Sequence, residues 1–256
     1  MPIGKHNQTH WAHIQSDPLT SPTLSIGTLL ELARTIAIRV AEQNLRIRVC
    51  VQESMGVGIF TGTPKQLNGV ARLLRTMDWQ SGAGEENEGM VGEYVNFGGV
   101  GKEHVVNSHK DMSGNEIQPD DVFMILCPQS MVGLESSIIQ PLQEMVAAAG
   151  DRPVIIINPD LKDKVSSDGQ QSVRGRQQRL EFANRFRPIF HFQCIYLSGT
   201  SYFPILGAKA LMSASEPWIV YQRRDLTNNE GEFYIPVVSS EVHPPTGEVI
   251  LASFET

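Results

Sequence analysis

From Ile26 onward, apolar residues recur at helical spacing: Ile26, Leu29, Leu30, Ala33, Ile36, Ala37 and Val40. That recurrence gathers them on one face of an amphipathic helix, and Ser25 stands where an N-cap would accept from a free backbone N–H. The period then changes. In "RIRVCVQ", Ile47, Val49 and Val51 alternate with Arg46, Arg48 and Cys50, the two-residue repeat of a half-buried strand. After a glycine-containing turn, Pro64 can open a second helix whose stripe is Leu67, Val70, Leu73, Leu74 and Met77. "EYVNFG" predicts a short strand between the polar loops "SGAGEENEGMVG" and "NSHKDMSGNEIQPD".

Further on, "DVFMILCP" and "RPVIIINP" are continuous apolar runs, the signature of central strands in a sheet covered on both faces. "LESSIIQPLQEMVAAAG" between them reads as a helix ended by Gly150, with Pro141 in its first turn or kinking it. Residues 122–127 and 153–158 are therefore expected as adjacent parallel strands joined by a right-handed crossover. "QSVRGRQQRLEFANRF" predicts another helix. "IFHFQCIYL", "PWIVYQRR" and "EFYIPVVSS" predict three late strands, and Thr246 caps a short final helix, "GEVILASF". The alternation implies an α/β fold: three-layer and Rossmann-like, with a mostly parallel sheet and antiparallel edge strands. Residues 1–25, polar and carrying Pro2, Pro18 and Pro22, read as a flexible arm before a single domain over 26–256.

Composition narrows the function classes. A chain of 256 residues, 41% hydrophobic, can bury a sizeable core. A formal charge of −7 argues against broad nucleic-acid binding, which needs a basic surface to displace counterions. No run of about 20 apolar residues is present to span a bilayer, which leaves contact with a membrane surface open. The amino terminus lacks the basic and apolar segments of a secretory signal. Cys50, Cys127 and Cys194 lie far apart, each within or beside an apolar run, and read as reduced buried thiols.

Candidate chemistry is sparse. Gly56 and Gly58 in "VQESMGVGIFTGTP" imitate the start of a dinucleotide fingerprint, but the third glycine falls at Gly62 and the required position holds Thr61. A phosphate cradle needs close backbone approach at a helix N-terminus, and Ile59 and Phe60 crowd it. The turn reads as a structural bend and contact loop, and no cofactor is expected. His6, His10 and His13 have no thiol or acidic neighbour that would complete a metal site, and no motif sets a nucleophile beside a base. No catalytic residue and no metal is expected.

Arg174, Arg176 and Arg179 stand close together in an otherwise acidic chain: a solvated helix face, or a docking patch for carboxylates or anionic headgroups. "CPQS" and "NPDLKD" follow the two central runs, at the strand ends where open α/β sheets collect ligands, though either is also plain strand punctuation. Tyr202 and Phe203 beside Pro204 form a rigid apolar knob if exposed, or core packing if not.

The ordered series "IGTLLELAR", "RVCVQESMGVG", "MDW", "DVFMILCPQS", "AAGDRPVIIINPDLKD", "GRQQRLEFA" and "GTSYFPILGA" closely resembles the Low PSII Accumulation 3-like family, defined by a domain of unknown function in cyanobacteria, algae and plants. The resemblance covers about residues 26–255. It implies a non-catalytic photosystem II assembly factor in the chloroplast stroma, peripherally attached to thylakoids, or cytoplasmic in a cyanobacterium. Its implied partner is the photosystem II core, especially the inner-antenna chlorophyll protein, with no nucleic acid involved. The alternatives are a permanent accessory subunit of an algal photosystem supercomplex, contacting another photosystem subunit, and a small-molecule or nucleotide-binding enzyme.

Carried onto this chain, the family's motif positions are Gly56, Gly58, Pro128, Gln129, Asn158, Pro159, Asp163, Gly175, Arg176, Arg179, Tyr202, Pro204 and Gly207. Loops 81–92 and 107–120, which look longer, Pro141 and the short carboxyl end depart from the plant pattern and weaken transfer of a specific partner.

Overall fold

Each change of hydrophobic period marks a boundary between elements. The computed structural model describes residues 11–16, 26–52, 69–79, 90–105, 109–110, 116–129, 138–159, 161, 176–196, 205–226 and 231–255. Within the residues expected as an arm, a strand, β1, runs from Trp11 to Ser16. The chain groups into two compact units: Met1–Ala12 with Ile26–Phe186, and His13–Ser25 with Arg187–Thr256. This division falls inside the span read from sequence as one domain.

Unit 1 contains α1 (Ile26–Ala41), β2 (Ile47–Val51), α2 (Val70–Thr76), the kinked turn α3 (Met90–Glu93) and β3 (Val95–Gly98). A two-stranded antiparallel ribbon, β4 (His109–Lys110) and β5 (Glu116–Ile117), precedes β6 (Val122–Leu126), α4 (Ile139–Ala149), β7 (Val154–Ile157) and α5 (Arg176–Ala183). Four of the strands pair in parallel in the order β7-β6-β2-β3, with Ile47 opposite both Val95 and Val122, and Leu126 opposite Ile157. The two continuous runs are thus neighbouring parallel strands, as expected.

Helices cover both faces. On one, α1 lays its buried Leu29, Leu30, Ala33 and Ala37 against β2 and β3. On the other, Cys50, Phe123, Ile125, Val154 and Ile156 pack with Leu142, Met145 and Val146 of α4 and with Phe182 and Phe186 from α5 and the turn after it. Burial on both sides explains why β6 shows no alternation. Pro141 is the third residue of α4, inside the first turn, where its missing N–H has no intrahelical acceptor to lose. At the other end, Gly150 turns at φ 64, and Arg152 donates to the carbonyls of Ala148 (3.1 Å) and Ala149 (2.9 Å), satisfying the last turn.

Unit 2 is an antiparallel sheet of β8 (Arg187–Tyr196), β9 (Ile205–Leu211), β10 (Trp218–Asp225) and β11 (Glu232–Ser240), in that order, with α6 (Gly247–Phe254) after it. Strand β9 adds a fourth member to the three expected late strands. Its composition, ILGAKAL, is poor in β-branched residues and gives a weak strand signal. Gly207 within it is required by packing. A Cβ there would strike the carbonyl oxygen of Tyr221 in β10 and come within 2.8 Å of Phe254 Cζ in α6. The Gln222 Nε2 donates to the Phe254 carbonyl at 3.1 Å, and Thr246 caps α6 as expected, accepting from Val249 N–H.

Candidate functional site

In a parallel sheet every strand ends at the same edge, so the segments that follow β2, β6 and β7 all begin there. The edge has a switch point. Strand β2 connects onward to β3 on one side, whereas β6 connects to β7 on the other, so the two neighbours at the reversal are β2 and β6. Outside the carboxyl ends of such a pair is where open α/β sheets hold ligands.

The residues at that point bond to one another. Gln52, directly after β2, is fully buried, and its Oε1 accepts from the Gln129 N–H at 2.8 Å while its Nε2 donates to the Gln129 carbonyl at 3.2 Å. One side-chain amide thus pairs with both main-chain groups of one residue, as a residue of a neighbouring strand would. Pro128, between Cys127 and Gln129, is buried, and Gln129 is half-buried.

One strand further, the Cys127 N–H donates to the Ile157 carbonyl at 2.7 Å. Cys127 at φ 44 and Asn158 at φ 49 turn the chain out of β6 and β7 through the left-handed region. Asparagine tolerates that region; cysteine seldom enters it. Burial pushes the Cys127 thiol up to about 12, so it is neutral and a poor nucleophile here.

Pro128, Gln129 and Asn158, singled out from sequence, therefore meet at one edge. Arg176 opens α5 and Arg179 lies one turn into it. Gly56, Gly58, Asp163, Arg174, Tyr202, Phe203 and Pro204 lie outside the described residues. Among the described residues, no group of three His, Cys, Asp and Glu is placed to hold a metal ion, and no helix is long and apolar enough to cross a membrane. Gln52 was missed by reasoning from sequence. The available signal was a lone amide breaking the apolar run immediately before the glycine turn.

The pattern that defines the domain of unknown function DUF1995 matches residues 12–251. The chain belongs to the DUF1995 family. The DUF1995 match runs through every strand from β2 to β11, so the family is defined over both units and not by the parallel sheet alone. Gly207 in β9, one of the motif positions, has a packing reason for being glycine, and so need not be read as a contact residue.

Proposed function

We propose that this DUF1995 chain is a non-catalytic photosystem II assembly or accessory factor of the Low PSII Accumulation 3 type, held peripherally at the stromal face of thylakoids. The observation that carries the reading is the ordered series of motifs from "IGTLLELAR" to "GTSYFPILGA", spread across both units and specific as a combination. The shared edge at which "CPQS" and "NPDLKD" begin supports it, because a contact surface assembled from several loops on a rigid sheet suits recognition of another protein. In this reading the partner is the photosystem II core through its inner-antenna chlorophyll protein.

The test is affinity purification of the tagged full-length chain from solubilised thylakoids at low and high salt, with partners identified by mass spectrometry. Enrichment of photosystem II core subunits at low salt is the expected result. Recovery of no photosystem subunit above an untagged control would overturn the reading. Equimolar, salt-resistant recovery with a complete supercomplex would replace the transient factor by a permanent subunit.

A further inference from the structure

Apolar and charged groups are unevenly spread over the antiparallel unit. Of the eleven large apolar side chains exposed among the described residues, six follow Arg224: Leu226, Phe233, Tyr234, Val242, Val249 and Leu251. Residues 225–256 also carry six carboxylates and no lysine or arginine. Single exposed apolar groups need no explanation, but their concentration in one segment of a single charge sign does.

The carboxylates at the start of β11 are offset within the sheet: Arg223 of β10 meets both Asp225 and Glu232 at 2.8 Å. Those around α6 are not. Glu241, Glu248 and Glu255 are exposed and enter no ion pair among the described residues. The helix turns Ile250 and Phe254 inward, Ile250 buried and Phe254 close to Gly207 of β9. Helical spacing then sets Glu248, Leu251 and Glu255, at i, i+3 and i+7, along one outward stripe. Leu251, 59% exposed, thus stands between two carboxylates about one turn away on either side, and Val242 in the preceding turn is 74% exposed.

We propose that the outward face of α6, with the turn leading into it, is a docking surface for a protein segment whose apolar centre is flanked by lysine or arginine. Charge decides between the occupants that an apolar face can take. An anionic lipid surface is repelled by Glu241, Glu248 and Glu255. A second copy docking through the same face in a two-fold dimer sets those carboxylates against their own counterparts. A basic segment gains from both features: the carboxylates steer and orient it, and Leu251 and Val242 supply apolar contact. Nothing in this surface depends on the photosystem reading, whose motifs end at Ala208.

The probe is a synthetic amphipathic peptide with a leucine stripe flanked by lysines, added to the full-length chain at low salt while amide hydrogen exchange is read along the sequence. Protection is expected within residues 241–255, and the same peptide with glutamate in place of lysine should give none. Absence of protection there, with or without protection elsewhere, overturns the proposal and needs no variant. Affinity, followed by fluorescence anisotropy, should fall about tenfold or more for Glu248→Lys combined with Glu255→Lys, and likewise for Leu251→Ser, which leaves the charge unchanged. Glu116→Lys with Asp151→Lys, an equal change of charge at exposed positions of unit 1, should leave affinity within about twofold. Equal loss in the two charge-reversed variants would show general attraction to an acidic protein. That result, undiminished binding by Leu251→Ser, or protection of residues 241–255 by phosphatidylglycerol vesicles would overturn the surface proposed.

Discussion

Arg48, half-buried, and Asp120, buried, form an ion pair, Nε to Oδ2 at 2.7 Å, which ties the second residue of β2 to the approach to β6. The other carboxylate oxygen accepts from Asn96 Nδ2 of β3 at 3.1 Å, and Arg48 Nη1 also donates to the Phe97 carbonyl at 3.2 Å. Three neighbouring strands are thus pinned by one polar network, opposite the edge that carries the candidate site.

Removing one partner leaves the other charge without its counter-ion, at Arg48 half-buried and at Asp120 buried. Asp120→Ala is expected to lower unfolding stability by about 3 kcal/mol, and replacing both residues by apolar ones of similar size should cost less than either single change. Urea unfolding of the two single variants and the double variant measures this. Losses below about 1 kcal/mol for Asp120→Ala would contradict the network's role.

Gly207→Ala should cost about 2 kcal/mol, because the added methyl meets the Tyr221 backbone as well as the Phe254 ring. Truncating the ring as well does not remove the backbone clash. The Gly207→Ala/Phe254→Ala double variant should therefore be no more stable than Gly207→Ala, and thermal unfolding that shows rescue would contradict the stated contact.

How far these features were legible from sequence depended on how local their signals are. The runs around Phe123 and Ile156 announce buried central strands, because every position in them is apolar, and Thr246 announces the start of α6. Strand β9 is different: Gly207, Ala208 and Ala210 satisfy a close-packed sheet without a strand-like composition. The Gln52–Gln129 contact joins residues separated by 77 positions, and nothing near either one specifies its partner. The left-handed turn at Asn158 fits its residue type, whereas Cys127 gives no such hint.

The buried thiols make the protein less stable in alkali. Burial raises both above the ordinary value near 9.0, Cys127 to about 12 and Cys50 further. The native state therefore keeps protons that the unfolded chain releases. The contribution of the two thiols is unchanged below about pH 9 and is lost as the pH rises toward 12, by up to ~1.4 kcal/mol per pH unit for each thiol. Chemical unfolding at pH 8 and pH 10 should show a smaller drop in a Cys50→Ala/Cys127→Ala variant than in the unaltered chain. Identical drops would contradict this origin.

If the basic end of α5 docks the protein, attachment to isolated thylakoids should weaken as salt shortens the screening length to about 8 Å and below. Arg176→Glu combined with Arg179→Glu should release the chain from membranes while leaving its melting temperature nearly unchanged, the outcome that a solvated, docking face of α5 requires. Retained attachment of a folded double variant would exclude the arginines and direct attention to Tyr202 and Phe203.

The proposed role in photosystem II assembly is tested most directly by pulse-labelling cells that lack this protein and following newly made inner-antenna chlorophyll protein into the photosystem II core. Continued synthesis with slowed incorporation, restored by the unaltered chain, is the expected result. Incorporation at the normal rate in the absence of the protein would contradict the proposed function.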